Sequence, residues 1–275
     1  MRIALCNEVL RDMPFERQCA YAAALGYDGL EVAPFTLADD PRTLTGPRAA
    51  EIRRVAADHG LRITGLHWLL VAPEGLSVTE ADAGVRAATL DMMHRLVDLC
   101  AALGGDVLVH GSPRQRTLPA NGREEAVRRA TDCFAAAGAA AGRAGVTYCI
   151  EPLSPTETNF VNTVAEAAAL VEAIGEPALR TMIDTSAAKA AEVEAVEALL
   201  DRWLPTGLIA HVQVNDANRR GPGQGTDTFA PMFAALRRHG WDRTVAVEPF
   251  DYQPDGPGCA ARAIGYVRGI LEALP

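Results

Sequence analysis

Residues 145–185, GVTYCIEPLSPTETNFVNTVAEAAALVEAIGEPALRTMIDT, decide the fold. An apolar run from Val146 to Glu151 ends at a proline, which stops a strand because it cannot donate to the next ladder bond. From Val164 to Ile174 the apolar residues recur at helical spacing, and Gly175 supplies the stop. A second apolar run, Leu179 to Asp184, follows after a short polar link. A helix standing between two such runs is a crossover, and crossovers join parallel strands.

The same unit recurs along the chain. Strand-like runs fall at Ile3 to Cys6, Gly29 to Ala33, Arg62 to His67, Asp106 to His110, Leu208 to Val214 and Thr244 to Glu248, which with the opening two makes eight. Between them lie Ala-rich amphipathic stretches at Phe15 to Leu25, Arg48 to His59, Glu80 to Leu103, Glu124 to Arg143, Glu192 to Leu204, Phe229 to His239 and Ala260 to Leu274. Eight parallel strands with helices between them predict a single (β/α)₈ TIM barrel over 1–275, its functional groups at the C-terminal strand ends. A doubly wound open sheet would carry a glycine-rich phosphate loop in the first strand-to-helix turn, and here that turn reads CNEVLRDMP.

The bulk numbers bound the function. The 275 residues are 49% hydrophobic, enough for a large core, and the net charge of −9 disfavours a nucleic acid partner. No run has membrane-spanning length, and Glu8 and Arg11 interrupt the N-terminal apolar run, so a cytoplasmic chain without a membrane partner is expected. The six cysteines show no CxxC or CxH spacing, which excludes a zinc finger or a disulfide framework.

Four strand ends carry oxygen donors: Glu151, Asp184, Gln213 in AHVQVND and Glu248 in TVAVEPF. In a barrel these converge, and convergent hard donors describe a divalent metal site. Glu151 and Glu248 each precede a proline, which restricts them to extended geometry and suits a fixed base. The competing reading is an ion-pair network with Arg219 and Lys189 as the cations. His67 and His110 join the strand-end set as candidate substrate contacts, with a hydrogen-bonded imidazole of the barrel end as the alternative for each. In NDANRRGPGQGTDTF, Arg219 and Arg220 can reach back over the mouth, while GPGQG is a poor phosphate cradle. There is no GxSxG elbow and no HExxH.

These residues in this order resemble the xylose isomerase-like superfamily of metal-dependent sugar isomerases and epimerases, which includes tagatose/psicose 3-epimerases, hydroxypyruvate isomerase and endonuclease IV. The resemblance spans the chain and is most specific in IEPLSPTE, MIDT, HVQVNDANRRGPGQG and VAVEPF. It implies one divalent ion, Mn²⁺ first and Mg²⁺, Co²⁺ or Zn²⁺ next, on Glu151, Asp184, Gln213 and Glu248, with the two glutamates as catalytic bases. Gln213 stands where the epimerases have histidine and hydroxypyruvate isomerase has glutamine; His211 is the alternative ligand. Glu157 and Arg219 fall on substrate-binding positions, and Ala187 replaces an epimerase histidine. Endonuclease IV needs further histidine and aspartate ligands that Ala187 and Gln213 do not supply.

The expected function is epimerisation or isomerisation of a small ketose or hydroxy-carbonyl sugar through a metal-stabilised enediolate. Aldose–ketose isomerisation as in hydroxypyruvate isomerase, a metal-dependent lyase or dehydratase, and a non-catalytic sugar-binding barrel are the alternatives. A homo-oligomer is compatible with the sequence.

Overall fold

The computed structural model describes residues 1–274. The strands are β1 Arg2–Cys6, β2 Gly29–Val32, β3 Arg62–Leu66, β4 Val107–His110, β5 Thr147–Ile150, β6 Leu179–Asp184, β7 Ile209–Val214 and β8 Thr244–Val247. They pair in parallel in sequence order, and β8 closes on β1 through Arg2↔Thr244 to Leu5↔Val247. Among the described residues the helices are α1 Phe15–Leu25, α2 Gly46–Asp58, α3 Ala83–Leu103, α4 Arg123–Ala144, α5 Val164–Ile174, α6 Thr185–Ala191, α7 Val196–Trp203, α8 Ala230–Arg238 and α9 Gly256–Ala273. This is the TIM barrel that the strand and helix periods predict.

Two differences from the sequence reading have local causes. The helix expected from Glu192 begins at Val196, and the short α6 precedes it, because Asp184 accepts from the Ala187 amide and caps a turn at the strand end. The last helix starts at Gly256 rather than Ala260, because Asp255 accepts from the Gly258 amide and Pro257 suits the first turn.

The main apolar core lies between strands and helices and runs from Ile3 and Leu5 through Phe134 and Tyr148 to Phe233 and Val247. Inside the barrel the packing is different. Ala4, Cys6 and Ala246 form one small cluster, and Val107, Val109, Cys149, Met182 and Ala210 another. Small residues on β1 and β8 leave space that large ones would fill, and the fully buried Glu31 lies against Cys6 in that space. β7 carries one extra residue, Ala210, opposite the Thr181/Met182 step of β6, and beyond this bulge His211 and Gln213 reach Glu31.

Candidate active site

The strand-end carboxylates converge. One oxygen each from Glu151, Asp184 and Glu248 lies within 4.8 Å of the others, and all three residues are buried. Burial, with Glu248 and Asp184 close by, pushes Glu151 well above the usual carboxylate range. Burial raises Asp184 to about 6 against the pull of the Ala187 amide, Ser186 and Asn215. Glu248 rises to about 8, burial outweighing the attraction of His67. Three carboxylates so placed repel one another, and a divalent cation among them reverses the shift.

Local structure fixes each group. Glu151 can sit where it does because residue 111 is glycine: a Cβ there would stand 2.3 Å from Glu151 Oε2. Asp184 Oδ1 accepts from the Ser186 hydroxyl and the Ala187 amide, and Oδ2 accepts from Asn215 Nδ2 at 2.9 Å. The same Asn215 amide donates to the Glu248 carbonyl, and its Oδ1 accepts from the Ser186 amide. Asn215 therefore ties the ends of β6, β7 and β8 together.

Gln213 donates its amide nitrogen to Glu31 Oε1 at 2.7 Å, and its Oε1 is buried without a hydrogen-bond partner among the described residues. An amide oxygen left free while its nitrogen is anchored suits a hard cation. His211 lies with Glu31 instead, its Nε2 2.8 Å from Glu31 Oε2. Burial works against ionisation of Glu31, yet the charge and hydrogen bond of His211, helped by His67 and Gln213, hold its carboxyl below the ordinary value. The chemistry of these donors suits a divalent ion: three convergent carboxylates, and an amide oxygen at the end of β7 that is left without a partner among the described residues while Glu31 holds its nitrogen.

His67 is buried between carboxylates: Nε2 is 2.9 Å from Glu8 Oε2, and Nδ1 is 3.3 Å from Glu248 Oε1 and 3.5 Å from Glu31 Oε1. Burial favours the neutral ring, but Glu8 and Glu248 outweigh it and raise the imidazole well above its usual value. His110 is not brought to the cleft. Its Nδ1 meets the Tyr148 hydroxyl at 2.7 Å and its ring packs edge-on to Phe134; burial first, then Arg116, lowers it to about 3.

Over the carboxylates, His67, Trp68, Glu157 and Phe250 line a cleft with about 30 Å³ of free volume, room for about one or two waters. Arg219 Nη1 is 3.2 Å from Glu157 Oε1, and its guanidinium lies 4.5 Å from the Phe250 ring centre. Phe250 in turn meets Trp68 edge-on at 6.2 Å. Arg220 turns away to Asp251 at 2.7 Å, and Lys189 pairs with Asp227. The ion-pair network expected as an alternative is therefore not formed, since both proposed cations bind other carboxylates.

Backbone strain gathers at this mouth. Trp68, Ser112, Val161 and Arg219 adopt positive φ of 53°, 41°, 61° and 66°, in the loops after β3, β4, β5 and β7. Such conformations are costly for side chains with a Cβ and persist where surroundings enforce them. Glu31, Asn215 and Arg116 belong to the site and escaped the sequence reading. Arg116 is fully buried, donates to the His110 and Val161 carbonyls, and tempers the Glu151 carboxyl. Burial lowers its own pKa to about 10. A larger cavity of about 270 Å³ at the opposite end, lined by Arg2, Asp106 and Arg243 among others, lies away from the carboxylate cluster.

Comparison with known proteins gives a match to the xylose isomerase-like TIM barrel family over residues 19–270. A D-psicose 3-epimerase of Agrobacterium fabrum is 29% identical over 239 residues, 83% of this chain and 76% of that protein. A ketose 3-epimerase of Arthrobacter globiformis is 27% identical over 220 residues, 78% of this chain and 72% of its own length. The crystal structure of a 3-keto-D-glucoside 4-epimerase from E. coli superposes with a TM-score of 0.83 at 20% identity, covering 98% of this chain and 99% of the other.

Proposed function

We propose that this chain, which belongs to the xylose isomerase-like TIM barrel family, is a divalent-metal-dependent epimerase or isomerase of a small ketose or related hydroxy-carbonyl sugar. The reading takes 1–275 as one catalytic domain. The observation that carries it is the buried convergence of Glu151, Asp184 and Glu248, two of them restrained by a following proline. The names of the epimerase relatives support the substrate class. No helix among the described residues is long and apolar enough to cross a membrane, and six free, buried cysteines suit a reducing compartment such as the cytoplasm.

Glu151, Asp184, Gln213 and Glu248 would hold the ion, with Mn²⁺ favoured by an all-oxygen donor set. When bound, the ion supplies the positive charge that lowers the cost of enediolate formation next to a carbonyl. Glu151 and Glu248 take the proton from the carbon beside the carbonyl and return it, one on each side of the sugar. Return to the opposite face of the same carbon inverts it, and return to the former carbonyl carbon exchanges aldose and ketose. Trp68 and Phe250 wall the cleft against water, and Glu157 and Arg219 orient the hydroxyls once their mutual contact opens.

Aldose–ketose exchange is the second reading, favoured by the glutamine at 213, as in hydroxypyruvate isomerase. Ala187 leaves the corner where the resemblance implies a histidine without a polar contact, and so leaves room for a bulkier sugar. The test is deuterium incorporation from solvent into a panel of ketoses by Mn²⁺-loaded protein. Exchange at a carbon-bound position is expected, falling by about 10²-fold or more in Glu151→Gln and Glu248→Gln. No exchange across the panel, with metal bound, would leave the sugar-binding barrel as the better reading.

A further inference from the structure

We propose a second cation site beside the first, formed by Cys6, Glu8 and His67, with Glu248 shared between the two. It rests on reading Glu151, Asp184 and Glu248 as the first site. One ligand atom from each of Cys6, Glu8, His67 and Glu248 lies within 4.8 Å of the other three. All four residues are buried, Cys6 completely and His67 to 1% exposure.

The atoms face one another without the donors that would satisfy them. Both Glu8 oxygens, both His67 nitrogens and Glu248 Oε2 lack an aligned hydrogen-bond partner among the described residues. Yet His67 Nε2 is 2.9 Å from Glu8 Oε2. Two ligands at right angles on an ion, each about 2.1 Å from it, stand about 3.0 Å apart. The separation found here is the one that two ligands of a single cation present.

The carboxylates Glu8, Glu31, Glu151, Asp184 and Glu248 are all buried at or beside these two sites. On the Nδ1 side of His67, Glu248 Oε1 lies at 3.3 Å and Glu31 Oε1 at 3.5 Å, and Glu31 is itself held by His211 and Gln213. That is the setting of a ligating histidine, whose second ring nitrogen turns to a carboxylate.

The donor types give the class of ion. The first site offers oxygens only, whereas this one adds an imidazole and a thiolate, a mixture that suits a borderline cation such as Co²⁺ or Zn²⁺ over Mg²⁺. Cys6 Sγ makes only weak contacts at 3.9 Å with Glu31 and Gln213, so coordination displaces little.

Chelator-stripped protein, dialysed against Co²⁺ and counted by elemental analysis, tests this directly. The wild type should hold two Co²⁺ per chain and show cobalt–thiolate absorption. Glu8→Gln and His67→Gln should each hold one, Cys6→Ser should lose the thiolate band, and Asp184→Asn should keep the band while losing the first ion. One Co²⁺ per wild-type chain at saturation, with His67 protonated on both nitrogens by NMR, overturns the proposal and leaves a buried ion pair. Two ions retained in both Glu8→Gln and His67→Gln overturn it as well. No bound ion at all overturns the proposed function too, so the two failures are distinguishable.

Discussion

Stripping the metal should make the protein less stable as pH rises, the reverse of what ordinary paired carboxylates do. Glu248 is raised from 4.5 to about 8 and Asp184 from 3.8 to about 6, burial being the chief cause of both. A group whose folded pKa is raised contributes stability fully below its unfolded pKa and loses it as pH climbs through the folded one. For Glu248 that window runs from 4.5 to about 8. His67, also raised, acts in the same sense above 6.5. Glu31, held low, has already contributed in full above 4.5 and adds no slope. At about 1.36 kcal/mol per pH unit the Glu248 interval corresponds to roughly 5 kcal/mol. This figure is for Glu248 alone; Glu151, Asp184 and His67 are raised too and act in the same sense. A chain of 275 residues shifts its Tm by about 2 °C per kcal/mol, so the stretch from pH 5.5 to about 8, about 3.4 kcal/mol, gives a fall of about 7 °C from Glu248 between pH 5.5 and 8.5. Thermal melts of chelator-treated protein at one scan rate measure it. Saturating Mn²⁺ should flatten the profile, because bound cation stabilises the ionised cluster. Glu248→Gln, which cannot ionise, should flatten the metal-free profile and be more stable than metal-free wild type at pH 8. A metal-free Tm that stays level or rises over this range would refute the reasoning.

Two substitutions probe positioning. Arg219→Ala should lower kcat/KM by about tenfold or more through loss of a charge-assisted contact while metal content holds, and Arg220→Ala, whose side chain pairs with Asp251, should change little. Equal losses from the two would indicate a general charge effect. Gly111→Ala forces a methyl to within 2.3 Å of Glu151 Oε2 and should lower Mn²⁺ affinity about tenfold or more, measured by calorimetric titration; unchanged affinity would mean that Glu151 does not hold the ion from this position.

The fold was legible because its signals are local and repeated. Val164–Ile174 has a Thr163–Glu166 capping box at one end and Gly175 in left-handed geometry at the other, so propensity, period and caps agree. Asp184 shows where such reading stops. Its strand end was plain, but its second duty, capping α6, depends on how the chain turns after the strand. A carboxylate followed by Thr185, Ser186 and Ala187 signals an N-cap and a strand-end site residue equally, and only geometry shows that the capping carboxylate also converges with Glu151 and Glu248.

The candidate site was legible where a polar residue closes an apolar run, and illegible where it lies within or beyond one. Asn215 directly follows the Gln213 strand and looked like a loop residue, although its amide joins Asp184 to the Glu248 carbonyl. Arg116 stands in PRQR, a polar stretch in which nothing marks the buried member. Glu31 did leave a signal: glutamate in GLEV, a strand buried at every position, is rarely tolerated without partners. Those partners, His211 and Gln213, are some 180 residues away in sequence, so a single-strand reading could find the anomaly but not its resolution. Their meeting also accounts for the ligand question at β7. Glu31 lies 2.8 Å from the His211 imidazole and accepts from the Gln213 amide nitrogen, so in the site proposed above the amide oxygen of Gln213, and not the His211 ring, is the donor offered to an ion, and that preference comes from a residue on β2.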